Sequence, residues 1–327
     1  MCKLNKTELI NAATLVDETN RILKERGSSL RLKVSTKFKN NLDCEAVIIK
    51  SSESDVVIPS LNMADFIDMY KASAIEEQSL NDLAEEIENL YEREIKDNKS
   101  FLEKNISGTM SKFSKEYILK NVKPKLISKE NAVNASKNDI AYSEYLDMIV
   151  VYYVSVGETL DGQMTTTLKN YILEEYDISI EEIHQVALKN IKGDFKITTM
   201  FDVVMGITGL SDEEMEEEFG PVPEEDNMYI IRNSTALFGA AALLELDFLE
   251  EVSVKKFKSG DYIILPSSIH ELIVVNRATD DENYENAIDE LKIMVKEVND
   301  GQVDPEDRLT YSIYKYSSKD KKVEVLL

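Results

Sequence analysis

Four polar residues that could support chemistry follow Pro266 closely: Ser267, Ser268, His270 and Glu271. A serine near a histidine can form a nucleophile and general-base pair, and an acid can orient the imidazole. Neighbours on a strand point to opposite faces, so Ser268 and His270 could share a face, whereas His270 and Glu271 should not touch. The competing interpretation is a turn whose serine hydroxyls bond backbone N–H groups. We therefore predict these four as candidate binding residues and assign no catalytic residue.

Elsewhere the sequence lacks the standard catalytic and metal-binding signatures. Its eleven glycines never take the spacing of a phosphate or dinucleotide loop. There is no G-x-S-x-G elbow, no H-E-x-x-H and no C-x-x-C pair. His184 lies beside the apolar face of a predicted helix, where a hydrogen-bonded boundary residue is expected rather than a ligand. With two histidines and two cysteines, a metal site would need mostly carboxylates, so we predict no metal and no cofactor.

The charge of the chain argues against several classes of partner. There are 38 lysines and arginines against 62 aspartates and glutamates, a formal net charge of −24. Such a field repels nucleic acid and anionic lipid. The exception is the segment 96–137, with ten lysines, four acids and no arginine, which we interpret as a solvated face rather than a nucleic-acid site. We expect an unknown protein or small-molecule partner, with no specific nucleic acid and no membrane.

The sequence features that bear on cellular location point to the cytoplasm. No apolar run approaches the ~18 residues of a membrane helix, and no apolar leader stands at the N-terminus. The two cysteines, Cys2 and Cys44, cannot make a disulfide framework. We therefore expect a cytoplasmic protein.

The elements that would position the candidate residues are helices and short strands. The fold class we predict is α+β or mixed α/β, with helices packed on mixed or mainly antiparallel sheets. Apolar periodicity and caps predict helices at Thr7–Arg26, 62–70, Leu80–Tyr91, 180–190, Thr235–Leu246, Phe248–Phe257 and Glu285–Val298. Strands are predicted at Leu30–Phe38, Glu45–Lys50, Glu144–Val156, Gln163–Leu168, Met228–Arg232, Asp261–Leu265, Glu271–Asn276 and Tyr311–Tyr316.

Composition divides these elements into three parts. Residues 1–95 form an α-β-β-α-α module, and residues 96–137 a lysine-rich helical connection. Residues 138–327 form an acidic α/β portion with a possible sub-boundary near 220–226, where glycine and prolines cluster. A stripe of small and apolar residues around Gly239 is expected to pack a helix closely on a sheet.

The order of these segments resembles an uncharacterised bacterial family, domain of unknown function 5688, found mainly in Firmicutes. The likeness rests on the segments Leu173–Asn190, Met228–Val275, Met294–Asn299 and Val303–Glu306, and above all on Ile264–Glu271. A fainter likeness to the YtpQ-like family, domain of unknown function 1444, departs at Ser268 and His270. The resemblance implies a bacterial, cytosolic protein and carries no residue role with it.

Three functional hypotheses follow from these observations. The leading hypothesis is a non-enzymatic binding or interaction protein, because standard catalytic signatures are missing and the charge is polarised. The second is a small hydrolase that uses Ser267 or Ser268 with His270. The third is an acidic protein that engages a basic partner.

Overall fold

The fold is α+β, with helices packed on antiparallel sheets. The computed structural model describes residues 6–40, 42–51, 60–71, 80–93, 106–107, 112–159, 162–209, 228–258, 260–276 and 284–326. The helices are α1 (Lys6–Glu25), α2 (Met63–Lys71), α3 (80–93), α4 (Lys115–Asn121), α5 (Ala132–Lys137), α6 (Asn170–Glu175), α7 (Ile180–Asn190), α8 (Met200–Thr208), α9 (Leu246–Lys256) and α10 (Tyr284–Gln302). Short 3-10 helices span Lys129–Asn131 and Gly239–Leu244.

Within the described residues the strands fall into four sheets, and every pairing between them is antiparallel. They are β1 (Arg31–Lys39), β2 (Leu42–Lys50), β3 (Ser60–Asn62), β4 (Ile106–Ser107), β5 (Lys112–Phe113), β6 (Lys123–Ser128), β7 (Tyr142–Tyr145), β8 (Met148–Thr159), β9 (Gly162–Thr167), β10 (Phe195–Thr199), β11 (Met228–Asn233), β12 (Tyr262–Pro266), β13 (Leu272–Val275), β14 (Ile313–Ser317) and β15 (Lys322–Leu326).

The N-terminal module, residues 6–93 where described, has a hydrophobic core of its own. Its sheet has the order β1-β2-β3, and α1, α2 and α3 contribute buried residues such as Val16, Phe66 and Ile87. The Asn20 side chain donates to the carbonyl of Leu32 (3.0 Å) and accepts from its N–H (2.8 Å), which fixes α1 against β1. Apolar residues on one face of each helix therefore cover one sheet.

The C-terminal body, residues 112–326 where described, contains two larger sheets around one core. In the first, β6 pairs with one edge of β8, while β7 and β9 pair with successive parts of the other edge. The second has the order β10-β11-β13-β12-β14-β15. Side chains alternate between its faces, so Ile264 and Tyr314 join the main core whereas Ile263 and Ile313 pack with α10.

The structure corrects the prediction of a helical connection over 96–137. Helices α4 and α5 are present, but β6 lies between them and pairs with β8 along its whole length. Leu126 and Ile127 are fully buried, and Lys125 is only 6% exposed. Because burial of these residues outweighs the solvation of the lysines, the described part of the segment from Lys112 onwards belongs to the body.

Other elements also differ from the sequence prediction. The single strand predicted over Glu144–Val156 is the hairpin β7–β8, which turns at Leu146 with φ 52°. Asp147 supports this turn by accepting from Thr310 Oγ1 (2.9 Å) and Tyr314 OH (2.6 Å). The helix predicted over Thr235–Leu246 is a turn followed by the 3-10 helix, and α9 begins after it. Strands β10 and β15 were not predicted.

Some predictions concern residues outside the described ones. These are the sub-boundary at 220–226 and Cys2. Cys44 is buried and not in a disulfide. Within the described residues, no helix is long and apolar enough to cross a membrane.

Candidate functional site

The segment Pro266–Glu271 comprises the last residue of β12 and the loop of the β12–β13 hairpin, and its two serine hydroxyls bond within the segment. Pro266 pairs with Leu272 at the last position of the ladder. The Ser268 hydroxyl accepts from the His270 N–H (3.0 Å), and Ser267 Oγ donates to Glu271 Oε1 (3.3 Å). Ser268 therefore bonds a backbone N–H, as the turn interpretation predicted, whereas Ser267 bonds the Glu271 carboxylate.

The His270 imidazole contacts two other segments. The Phe238 N–H donates to Nδ1 (3.2 Å), which places the ring proton on Nε2. Nε2 lies 3.5 Å from Asp307 Oδ1. Both ring nitrogens are therefore engaged by groups other than Ser267 and Ser268, and the nucleophile–base pair that a serine hydrolase needs is not formed.

Asp307 continues into a chain of polar contacts that reaches the N-terminal module. Asn40 Nδ2 donates to Asp307 Oδ1 (3.3 Å), and Lys125 Nζ donates to Asn40 Oδ1 (2.9 Å). Lys125 Nζ also lies 4.7 Å from the centroid of the Phe238 ring, and this ring stacks on His270 with centroids 5.6 Å apart. The buried ammonium is therefore stabilised by an amide oxygen and an aromatic face.

Backbone geometry fixes this cluster in place. Asn40 has φ 52° in the turn between β1 and β2, a conformation that asparagine tolerates better than most residues. Phe238 also has φ 61°, and the Gly239 N–H donates to the His270 carbonyl (2.9 Å). A Cβ on Gly239 would lie 2.3 Å from that oxygen, so only glycine permits this approach.

The cluster lies in a cleft of about 770 Å³ between the N-terminal module and the C-terminal body. This volume is typical of ligand sites. Half of the lining residues have hydroxyl or amide side chains, and the other half are apolar or charged residues and His270; this second half comprises Leu61, Asp65, Lys125, Ile140, Lys169, Leu237, Phe238, His270 and Asp307. Of the four predicted binding residues, His270 lines the cleft, while Ser267, Ser268 and Glu271 lie outside its lining.

Most lining residues were not predicted, because they are separated along the chain. Asn40, Lys125, Phe238 and Asp307 come from four segments, and no local pattern relates them. The one available signal for Lys125 was its apolar surroundings in Leu126 and Ile127, which favour a buried strand.

The second histidine belongs to a different cluster. Tyr152 OH lies 3.0 Å from His184 Nδ1 and 2.7 Å from Ser143 Oγ, so His184 bonds to side chains at the boundary of the core. Burial raises the pKa of Tyr152 to about 12 and lowers the pKa of His184. The tyrosine hydroxyl therefore stays protonated at neutral pH and serves as a hydrogen-bond partner.

The chemistry available in the cleft is polar recognition. Hydroxyls and amides both donate and accept, and the cluster adds a fixed ammonium, a carboxylate and an imidazole. Among the described residues, no group of three or more histidine, cysteine or acidic side chains could hold a metal ion.

Comparison with known proteins identifies the family. Neither the search of curated proteins nor the search of solved structures finds a match. The model of a family of unknown function, DUF5688, matches residues 14–318, which is nearly the whole chain. The protein therefore belongs to the DUF5688 family.

Proposed function

We propose that this protein is a non-enzymatic binding protein, and that its ligand site is the cleft between the N-terminal module and the C-terminal body. The observation that carries the proposal is the convergence of Asn40, Lys125, His270 and Asp307 on one cavity of ligand size. Groups from separate segments meet there with both donor and acceptor capacity. A polar ligand can replace the water that these groups would otherwise bind.

The contacts of Ser267, Ser268 and His270 favour binding over hydrolysis. Ser267 and Ser268 bond within their own loop, and His270 bonds to the Phe238 N–H. An unactivated serine hydroxyl is a weak nucleophile at neutral pH. We therefore expect no labelling of either serine by a fluorophosphonate probe.

The proposal extends to location and partners. The resemblance of the sequence to a bacterial family and its two cysteines support a protein of the bacterial cytosol, as in Firmicutes. The net charge of −24 favours a protein or small-molecule ligand over nucleic acid or a membrane surface.

A thermal-shift screen of the full chain tests the proposal. The probes are tripeptides, oligosaccharides, nucleotides and dicarboxylic acids, each at millimolar concentration. A ligand that binds only the native state raises its stability, by about 2.7 kcal/mol at a hundred times Kd. We expect at least one class to raise the melting temperature.

Two arginine variants locate the binding. Thr36 is exposed and lines the cleft, so Thr36→Arg should block the cavity and remove the shift without disturbing the fold. Val34→Arg adds the same charge to β1 at an exposed residue outside the lining, and should keep the shift. No shift with any class, or an equal shift in both variants, would contradict the proposal.

A further inference from the structure

We infer that the cleft binds an extended polypeptide segment, which joins the sheet of the C-terminal body as an additional strand beside β9. The inference rests on the proposed function and names the class of ligand. It starts from the way in which β9 borders the cleft.

Consecutive residues of β9 line the cleft. Thr165, Thr166 and Thr167 all contribute to its wall, and Gln163 does as well. Successive side chains of a strand point to opposite faces of its sheet, so a cavity that lies over one face would contact alternate residues. From this contact with three residues in a row, we infer that the cleft borders the edge of β9.

This edge is the outer one. β8 occupies one side of β9, and among the described residues no strand pairs with its other side over residues 162–167. An edge of this kind presents a row of backbone N–H and C=O groups, which is a template for another strand.

The direction of the backbone groups follows from the ladder. The Leu168 N–H donates to the Tyr152 carbonyl (2.7 Å), so the amide of Leu168 points towards β8. In an antiparallel pair the amides alternate in direction. Hence Thr166 points its N–H and C=O towards β8, whereas Thr165 and Thr167 point theirs away from it, to the side that borders the cleft.

A second part of the lining has a similar character. Ser60, Leu61 and Asn62 line the cleft in sequence, and they constitute β3, the outermost strand of the N-terminal sheet. The lining of the cleft therefore includes the outer strands of two sheets. The five residues from Gln163 to Thr167 span about 13 Å, the length of a four- to five-residue strand.

The charge of the lining fits a peptide backbone. Lys125 and Lys169 are balanced by Asp65 and Asp307, so the lining has no formal net charge in a chain of −24. A lining without net charge gives no advantage to a phosphate or polyanion, and its hydroxyl and amide side chains suit the uncharged amide groups of an extended segment. The occupant we infer is thus a peptide segment with few charged side chains.

The first experiment uses the full chain and a random octapeptide library displayed on phage. A selected peptide is synthesised with a fluorophore, and its Kd is measured by anisotropy. Each of its backbone amides is then N-methylated in turn. Strand addition predicts a period of two: methylation of alternate amides should weaken binding about tenfold or more, which is about 1.4 kcal/mol, and methylation of the others should have little effect.

The second experiment changes β9 itself. Thr165→Pro removes an outward N–H that takes no part in the β8 ladder, a position where an edge strand accepts proline. We expect about a tenfold weaker Kd with the melting temperature kept within a few degrees. Thr165→Ala removes only the side chain and keeps the N–H, so it should weaken binding clearly less than Thr165→Pro does.

The outcomes separate this inference from the proposed function. A flat N-methyl scan, or unchanged binding by a folded Thr165→Pro protein, overturns strand addition. If Thr165→Pro does not fold, the N-methyl scan of the wild type decides. Strand addition is also overturned if the library yields no peptide whose binding is lost in the Thr36→Arg protein. In each of these cases, a cleft-dependent thermal shift with saccharides or nucleotides would leave the proposed function standing.

Discussion

The two histidines of the chain bond through the same ring nitrogen but serve different parts of the molecule. His184 Nδ1 contacts the Tyr152 hydroxyl at 3.0 Å, and both residues belong to one helix–sheet layer of the C-terminal body. His270 Nδ1 accepts from a backbone N–H, and its other nitrogen faces Asp307, which Asn40 of the N-terminal module also contacts. The first cluster completes a core, whereas the second connects separate parts around a cavity.

This difference shows how a ligand-binding cluster can be distinguished from a structural cluster with similar polar contacts. Tyr152 is fully buried, so its hydroxyl needs a partner, and His184 and Ser143 provide one. Lys125 is nearly as buried, but its partner Asn40 lies 85 residues away in sequence and next to the cleft. Changes in the His184 cluster should therefore alter stability alone, while changes in the His270 cluster should alter both stability and ligand binding.

The largest expected effect is that of Gly239→Ala, which acts on the His270 cluster. The new Cβ would lie 2.3 Å from the His270 carbonyl and 3.0 Å from Arg232 Cα, and both are backbone atoms that must move. We expect a loss of about 3 kcal/mol in the free energy of unfolding, measured by urea denaturation followed by circular dichroism.

Gly301→Ala is the matched control for this change. Gly301 lies in α10, and nothing lies within 4 Å of an added Cβ. Alanine favours a helix by up to about 1 kcal/mol, so this variant should be as stable as the wild type or more stable. Equal stability of the two variants would mean that the loop at His270 is not tightly packed.

The next largest loss of stability is expected at Asn40, where two substitutions separate the contribution of the side chain from that of the backbone conformation. Asn40→Gly keeps the left-handed backbone conformation and removes the bonds to Lys125 and Asp307. A hydrogen bond to a charged group contributes about 1.5 kcal/mol or more, so we expect a loss of that size in urea denaturation.

Asn40→Ala should cost about 1 kcal/mol more than Asn40→Gly, because alanine also resists a positive φ. Both variants should bind a cleft ligand more weakly, since Asn40 holds Lys125 in the lining. If both kept wild-type stability and binding, the cluster would have no role in joining the two parts of the molecule.

The loop at His270 shows what the sequence could predict. Pro266 and the β-branched residues on both sides specify a hairpin with a polar loop, and the structure has this hairpin. The fold class was also confirmed. By contrast, the turn at Leu146 has no glycine or asparagine to indicate it, because its support comes from Thr310 and Tyr314, more than 160 residues away.

For the same reason, the residues that contact His270 could not be predicted from the local sequence. The apolar stripe around Gly239 predicted a helix, but Ala236 and Phe238 adopt positive φ and the chain turns to place its N–H groups on the hairpin. Lysine content suggested that residues 96–137 are solvated. The burial of Lys125 depends on an aromatic ring and an amide that only the tertiary fold brings to it.

The smallest expected effect concerns His184 and is a difference in pH dependence. Burial lowers the pKa of His184, and the nearby Glu181 only partly opposes this. In the unfolded chain the pKa of this histidine is near 6.5, so the unfolded chain binds a proton there more readily than the native protein does. The stabilisation from this group is complete above pH 6.5, and it is lost as the pH falls from there towards the lowered native pKa. His184→Gln keeps a side chain that can bond to Tyr152 but does not titrate.

We therefore expect the melting temperature of the wild type to fall further between pH 7.5 and pH 5 than that of His184→Gln, as measured by scanning fluorimetry. Between pH 7.5 and pH 8.5 the two proteins should show parallel curves, because His184 is neutral in both folded and unfolded chains there. Carboxylates contribute equally to both proteins and cancel in the difference. Parallel curves below pH 6.5 as well would mean that His184 is as well solvated as in the unfolded chain, and the contrast between a core histidine and a cleft histidine would then fail.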